Sequence, residues 1–151
     1  MATSDRNKIK RIGRELLTLQ NPTNTFAVES LDEITHWKAF IPGPVGSPYE
    51  AGKFELDIVF VDYPLKHPDI KFTTAMYHPN IDKQGKICAA ILKDWKPTQT
   101  MEQLLNALCD LLDRPDPEDP LDADIAHLYK TDYPKFKAEA EAHTKKYALS
   151  K

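Results

Sequence analysis

The chain has 151 residues, with 20 Lys+Arg against 23 Asp+Glu (net charge −3), 41% hydrophobic and 28% charged residues. That length predicts one domain over residues 1–151, able to bury a core without a disulfide or metal staple, and the balance excludes wholesale disorder. The small acidic excess makes no case for nucleic acid or a membrane surface, no apolar run approaches the ~20 residues a bilayer crossing needs, and the polar start Met1–Asn7 reads as no secretory signal.

The first predicted element is a helix capped by Ser4 or Asp5 and running to about Gln20. Ile9, Ile12, Leu16 and Leu19 form its apolar stripe. Arg6, Lys8, Lys10, Arg11 and Arg14 crowd the remaining faces, as a solvated surface or a basic docking face. Asn21-Pro22-Thr23-Asn24 ends it. Strands are then predicted at Phe26–Leu31, Ile34–Ile41, Lys53–Phe60 and Ile70–Thr73. In the third, Phe54, Leu56, Ile58 and Phe60 alternate with Lys53, Glu55 and Asp57. Glu33 falls in a tight turn, and the Pro/Gly-rich stretch Pro42–Pro48 links the second and third strands. Short connections between successive strands predict an antiparallel meander.

From Met76 to Gln99 neither period dominates, and a loop of that length inside a small domain points to function. Thr100 with Gln103 then forms a capping box for a helix buried through Leu104, Leu105, Leu108 and Leu112. Arg114–Pro120 is a Pro/Asp loop. Helices follow at about Leu121–Lys130 and Tyr133–Ala148, the last capped by Asp132 with Pro134 in its first turn. The expected class is α+β: an N-terminal helix, a four-stranded meander, a long loop and three further helices.

The two cysteines, without a secretory signal, are expected as reduced thiols in a cytoplasmic or nuclear protein. Cys109 lies on the Leu105/Leu112 helix face and is expected in the core. Cys88, in the apolar run Ile87–Leu92, reads either as a small buried hydrophobe or as a nucleophile. His78 is ten residues upstream, and an Xaa-Pro loop histidine is more often a hydrogen-bonding strut than a base. The five histidines show no metal-ligand spacing, so no metal is expected, and no phosphate-binding glycine motif is present.

Tyr77-His78-Pro79-Asn80-Ile81, Gly85-Lys86-Ile87-Cys88, Trp95-Lys96-Pro97 and Pro117-Glu118-Asp119-Pro120-Leu121 together resemble the catalytic domain of ubiquitin-conjugating enzymes. Trp37, Gly43-Pro44, Ser47-Pro48-Tyr49, Gly52-Lys53-Phe54, Asp62-Tyr63-Pro64 and Thr144-Lys145-Lys146-Tyr147 extend the resemblance over essentially the whole chain. The combination of His-Pro-Asn, a cysteine eight residues after Asn80 and Trp-x-Pro is specific, and it overturns the bland reading of Cys88.

The resemblance implies the family's fold. It also implies that Cys88 accepts ubiquitin as a thioester from an activating enzyme and passes it to a lysine or to a ligase cysteine. Asn80 would stabilise the oxyanion or hold the active-site loop. His78 and Pro79 would shape that loop, and Asp119, on a gate loop, would help desolvate or orient the attacking amine. Arg6, Lys10, Leu65, Lys96 and Pro97 would bind ligases (HECT, RBR or RING) and the activating enzyme. No cofactor is implied, since ATP is used by the activating enzyme, and the chain is expected to be a monomer.

Three features depart from the family pattern. Ala89-Ala90 lack the acidic residue many members carry after the cysteine. Cys88 to Trp95 is about one residue short. Leu65 stands where many members have Phe. The Trp95-Lys96-Pro97 form and the missing acidic residue resemble the subset serving ligases with their own cysteine, but Asp119, which that subset tends to lose, is retained, so acceptor preference stays open. The alternatives are a non-catalytic ubiquitin- or ligase-binding module of the same fold and a conjugating enzyme for another modifier, NEDD8.

Overall fold

A computed structural model describes residues 3–21, 25–88 and 90–149, without the side chains of residues 3–5. The elements in chain order are α1 (Thr3–Leu19), β1 (Ala27–Ser30), β2 (His36–Pro42), β3 (Lys53–Val59), β4 (Asp69–Phe72), α2 (Ala90–Lys93), α3 (Met101–Asp113), α4 (Ala123–Thr131) and α5 (Tyr133–Tyr147). α1 begins at Thr3, ahead of the cap expected at Ser4 or Asp5, whose side chains lie outside the described residues, as do Pro22–Asn24 and Ala89.

The strands form one antiparallel sheet in the order β1-β2-β3-β4, the meander the short connections predict. Period-2 patterning decides which face is covered. Trp37, Ala39 and Ile41 of β2 and Phe54, Leu56 and Ile58 of β3 are buried, while Lys53, Glu55 and Asp57 face outward. α1 packs on β1 and α3, and α3 packs on β2, so Ile12, Leu16 and Leu19 meet Leu105, Leu108 and Leu112 in one core. Ile9 departs from its expected stripe. It is 39% exposed.

The capping box at Thr100 is present, with its side chain taking the Gln103 N–H and Gln103 returning to the Thr100 N–H. α4 begins two residues later than its apolar pattern suggests, since Asp122 caps it by accepting the Ile125 N–H. Asp132 caps α5, with Pro134 in the first turn. Two expectations are corrected. The 76–99 stretch is not wholly irregular: the short α2 follows Cys88, giving four helices after the sheet among the described residues rather than three. Cys109 is half-buried at the edge of the α3 face, not in the core; burial still pushes its thiol up to about 11. No helix among the described residues is long and apolar enough to cross a membrane.

Candidate active site

The segment leading to Cys88 is held from two sides. On one, Gly85 (φ +85°) turns the chain under the edge of β4, and its carbonyl accepts the Phe72 N–H at 2.9 Å. A Cβ there would sit 1.8 Å from the Phe72 carbonyl oxygen, so the tight approach requires glycine. Asp82 secures the turn by accepting the N–H groups of Gln84 and Lys86.

On the other side, His78 bonds to the last turn of α3, and Pro79 and Asn80 bond to the segment between α3 and α4. His78 Nε2–H donates to the Leu111 carbonyl at 2.8 Å, and His78 Nδ1 accepts the Asn80 N–H at 3.0 Å. The Pro79 carbonyl accepts the N–H groups of Leu121 and Asp122. The Asn80 amide donates to the carbonyls of Asp116 (2.7 Å) and Asp119 (3.1 Å), and its oxygen accepts the Asp116 N–H at 2.8 Å. Its own carbonyl accepts the Cys88 N–H at 2.9 Å. Asn80 thus spans the Cys88 segment and the 114–122 loop, and it is wholly buried.

This geometry separates the two roles implied for Asn80. Both side-chain donor hydrogens are engaged with loop carbonyls, so in this arrangement the side chain fastens the loop and has no donor to spare for an oxyanion. His78 is likewise a strut. Burial lowers its pKa to about 4, which keeps it neutral, and both ring nitrogens are occupied.

Cys88 is a buried residue, 3% exposed. Burial raises its pKa above the ordinary thiol value. The backbone N–H groups of Ile91 and Ala90, at the start of α2, act against this, and the charges of Asp119 and Asp116 add to it. Two carboxylates therefore act on the sulfur, where the sequence singled out only Asp119. Asp116 was legible as part of the Pro/Asp loop, but no spacing rule marked it. A cavity of about 720 Å³ between residues 75–83 and α4–α5 is lined by Tyr77, Ile81, Leu128 and His143, and not by Cys88 or Asn80. No group of three or more His, Cys, Asp or Glu among the described residues could hold a metal ion.

The expected docking residues sit apart from this network. Leu65 (61% exposed) and Pro97 project on neighbouring loops, with Lys96 exposed beside Pro97 and Arg6 and Lys10 exposed on α1. An open groove of about 690 Å³ runs between Val61, Leu65, Leu92 and Trp95, rimmed by Lys66 and Lys93. The basic face of α1 is only partly a free surface. Lys8 pairs with Asp62 at 2.6 Å, and Arg11 is committed to Glu15 and to the carbonyls of Pro97 and Gln99. The Tyr63–Pro64 peptide bond is cis.

A family model described as ubiquitin-conjugating enzyme matches residues 11–144. Two solved structures resemble the whole fold. One is the E2 domain of a ubiquitin-conjugating enzyme of Toxoplasma gondii: 38% identical, TM-score 0.86, covering 92% of this chain and 97% of that one. The other is a Plasmodium yoelii protein described as a ubiquitin-conjugating enzyme: 36% identical, TM-score 0.89, covering 95% and 97%.

Proposed function

We propose that this chain, which belongs to the ubiquitin-conjugating enzyme family, carries ubiquitin as a thioester on Cys88 and hands it to a lysine or to a ligase cysteine. The observation that carries the reading is the placement of Cys88. Its backbone is bonded to Asn80, and its sulfur stands within the influence of Asp119 and Asp116 on a loop that Asn80 itself fastens.

In the first step the Cys88 sulfur, having lost its proton to solvent, attacks the carbonyl of the thioester on the activating enzyme, and that enzyme's thiolate leaves. The raised thiol pKa means little thiolate at rest, which suits a nucleophile that reacts when a partner presents an already activated acyl group. His78, neutral and doubly bonded, takes no proton from it. In the second step an amine or thiol attacks the Cys88 thioester, and the Cys88 thiolate leaves. A lysine reacts only as the neutral amine, roughly one in a thousand at pH 7.4, so carboxylates beside the site assist by orienting it and taking up developing positive charge; Asp119 and Asp116 are assigned that part. Asn80, His78 and Pro79 hold the loop that carries them. Leu65, Lys96, Pro97, Arg6 and Lys10 are the proposed contacts for ligases and the activating enzyme. Both acyl donor and acceptor arrive on other proteins, so no enclosed small-molecule cavity at Cys88 is needed.

The test is charging. The chain is mixed with ATP, the ubiquitin- or NEDD8-activating enzyme and the matching modifier, and the products are resolved with and without thiol. A thiol-sensitive ubiquitin adduct, absent from Cys88→Ala, converted to a thiol-resistant oxyester in Cys88→Ser and retained in Cys109→Ser, is the expected result. No adduct, or one that persists in Cys88→Ala, would overturn the reading; charging by NEDD8 alone would change the cargo.

A further inference from the structure

At the opposite end of α1 from its first turn, a second polar network ties together three segments far apart in sequence. Glu15, with its side chain only 14% exposed, accepts Arg11 Nε–H at 2.9 Å and the Tyr63 hydroxyl at 2.5 Å on one oxygen. Its other oxygen takes the Met101 N–H, at the start of α3, at 2.7 Å. Arg11 sends its two terminal nitrogens to the carbonyls of Pro97 and Gln99 and lies over the Tyr63 ring, 5.0 Å from its centroid. Tyr63 in turn contacts Trp95 (centroids 5.6 Å apart), whose indole N–H donates to the Pro64 carbonyl at 2.8 Å. Both exposed tips, Leu65 and Pro97, hang from this cluster: one lies two residues after Tyr63, and the other is itself an acceptor of Arg11.

We propose that Arg11 and Glu15 are positioning residues: they set how the Leu65 and Pro97 tips are presented to a ligase, and so how strongly one is engaged. This rests on the proposed function for the role of those tips. Three features argue against mere stability. Of the two carbonyls Arg11 serves, that of Pro97 lies on the exposed side of its loop, where water can replace the guanidinium, and that of Gln99 is half-buried. The Thr100–Gln103 capping box at the start of α3 does not depend on Glu15, which serves only the Met101 N–H there. The planar fork reaches a carboxylate and two carbonyls from three separate nitrogens, whereas the three donors of lysine radiate from one nitrogen and do not match that spread, so this geometry selects arginine rather than charge.

The test compares the full-length protein with Arg11→Lys and Glu15→Gln. The readouts are backbone amide NMR of residues 63–67 and 95–99, affinity for isolated HECT and RING ligase domains, and discharge of the thioester onto free cysteine without ligase. Glu15→Gln separates positioning from contact, because so covered a side chain offers a ligase little surface. Both variants are expected to shift and broaden the amides of both loops and weaken ligase binding about five- to tenfold, with ligase-free discharge unchanged. Loops whose amides do not move would overturn the proposal, and so would moved loops with undiminished ligase affinity. Failure of the unmodified protein to charge would instead count against the proposed function, and the coupling of the two loops would still be read from the amide shifts.

Discussion

Two polar networks hold the loops of this protein, and they are built differently. The one around Asn80 uses neutral groups, His78, an amide and backbone; the His78 and Asn80 side chains are wholly buried, and no buried side-chain nitrogen or oxygen among the described residues is left without a partner. The one around Glu15 uses a charged pair, side chains 27% and 14% exposed, open at its Pro97 edge. A neutral network in a low-dielectric interior is rigid and insensitive to salt, but costly to break, since any lost partner leaves an unsatisfied group. A charged, partly wet network tolerates loss, because water and ions replace a missing partner. The sealed network lies where atoms must be held for chemistry, and the wet one where a surface must meet partners.

The largest effect that could break this contrast is at Asn80. Asn80→Ala deletes the three side-chain hydrogen bonds of a wholly buried residue, an expected loss of about 2–4 kcal/mol in denaturant unfolding, with the 114–122 loop released. Asn80→Asp is expected to be no milder, since a carboxylate oxygen would face the carbonyls of Asp116 and Asp119. If Asn80→Ala unfolds like the unmodified protein yet discharges a hundredfold more slowly, its amide serves the oxyanion, and the contrast fails at its centre.

Next is the pH dependence of the sealed network. His78 in the folded state has its pKa lowered from 6.5 to about 4 by burial. The unfolded chain therefore binds this proton first as pH falls. The stability His78 contributes is present in full above about 6.5 and is lost progressively as pH drops toward 4, approaching about 3 kcal/mol. Urea unfolding from pH 7 to 4, compared with His78→Gln, should show a steeper decline in the unmodified protein. Equal slopes would mean His78 titrates as if exposed.

Smaller is the effect at the exposed tip. Leu65→Ala is expected to weaken ligase binding about tenfold, while leaving stability and ligase-free discharge unchanged. Undiminished affinity by calorimetry would remove Leu65 from the interface. The smallest expected effect is on the thiol itself: Asp119→Asn removes a charge that raises the Cys88 pKa, so alkylation by iodoacetamide at pH 8 should quicken modestly.

The sequence was most legible where one local rule decides. Alternation marked β3, the Thr100 capping box and the Asp132 cap marked α3 and α5, and the His-Pro-Asn and cysteine spacing marked the site. It was least legible where tertiary partners decide. Nothing local says that Arg11 and Lys8 leave the solvated face of α1 to bind the 97–99 carbonyls and Asp62, or that Asn80 exhausts its amide on the gate loop. Asp116 escaped notice because its part is played by proximity in space, and the short α2 because four residues carry no period. Cys109 sat at the edge of the right helical face, roughly a quarter-turn from its buried centre.

The account rests on Cys88 as an acyl carrier with carboxylates, not a histidine, beside it. The direct measurement is single-turnover discharge of the purified Cys88 thioester onto free cysteine and free lysine, in the unmodified protein and in Asp119→Asn, Asp116→Asn and Ala90→Asp. The account predicts brisk transfer to cysteine in all four, since a thiol has a far larger reactive fraction than an amine at neutral pH. Lysine transfer should be sluggish, slower by about tenfold in Asp119→Asn, slowed less in Asp116→Asn and quickened in Ala90→Asp. Lysine discharge as fast as cysteine discharge, and unmoved by any of the three substitutions, would contradict it.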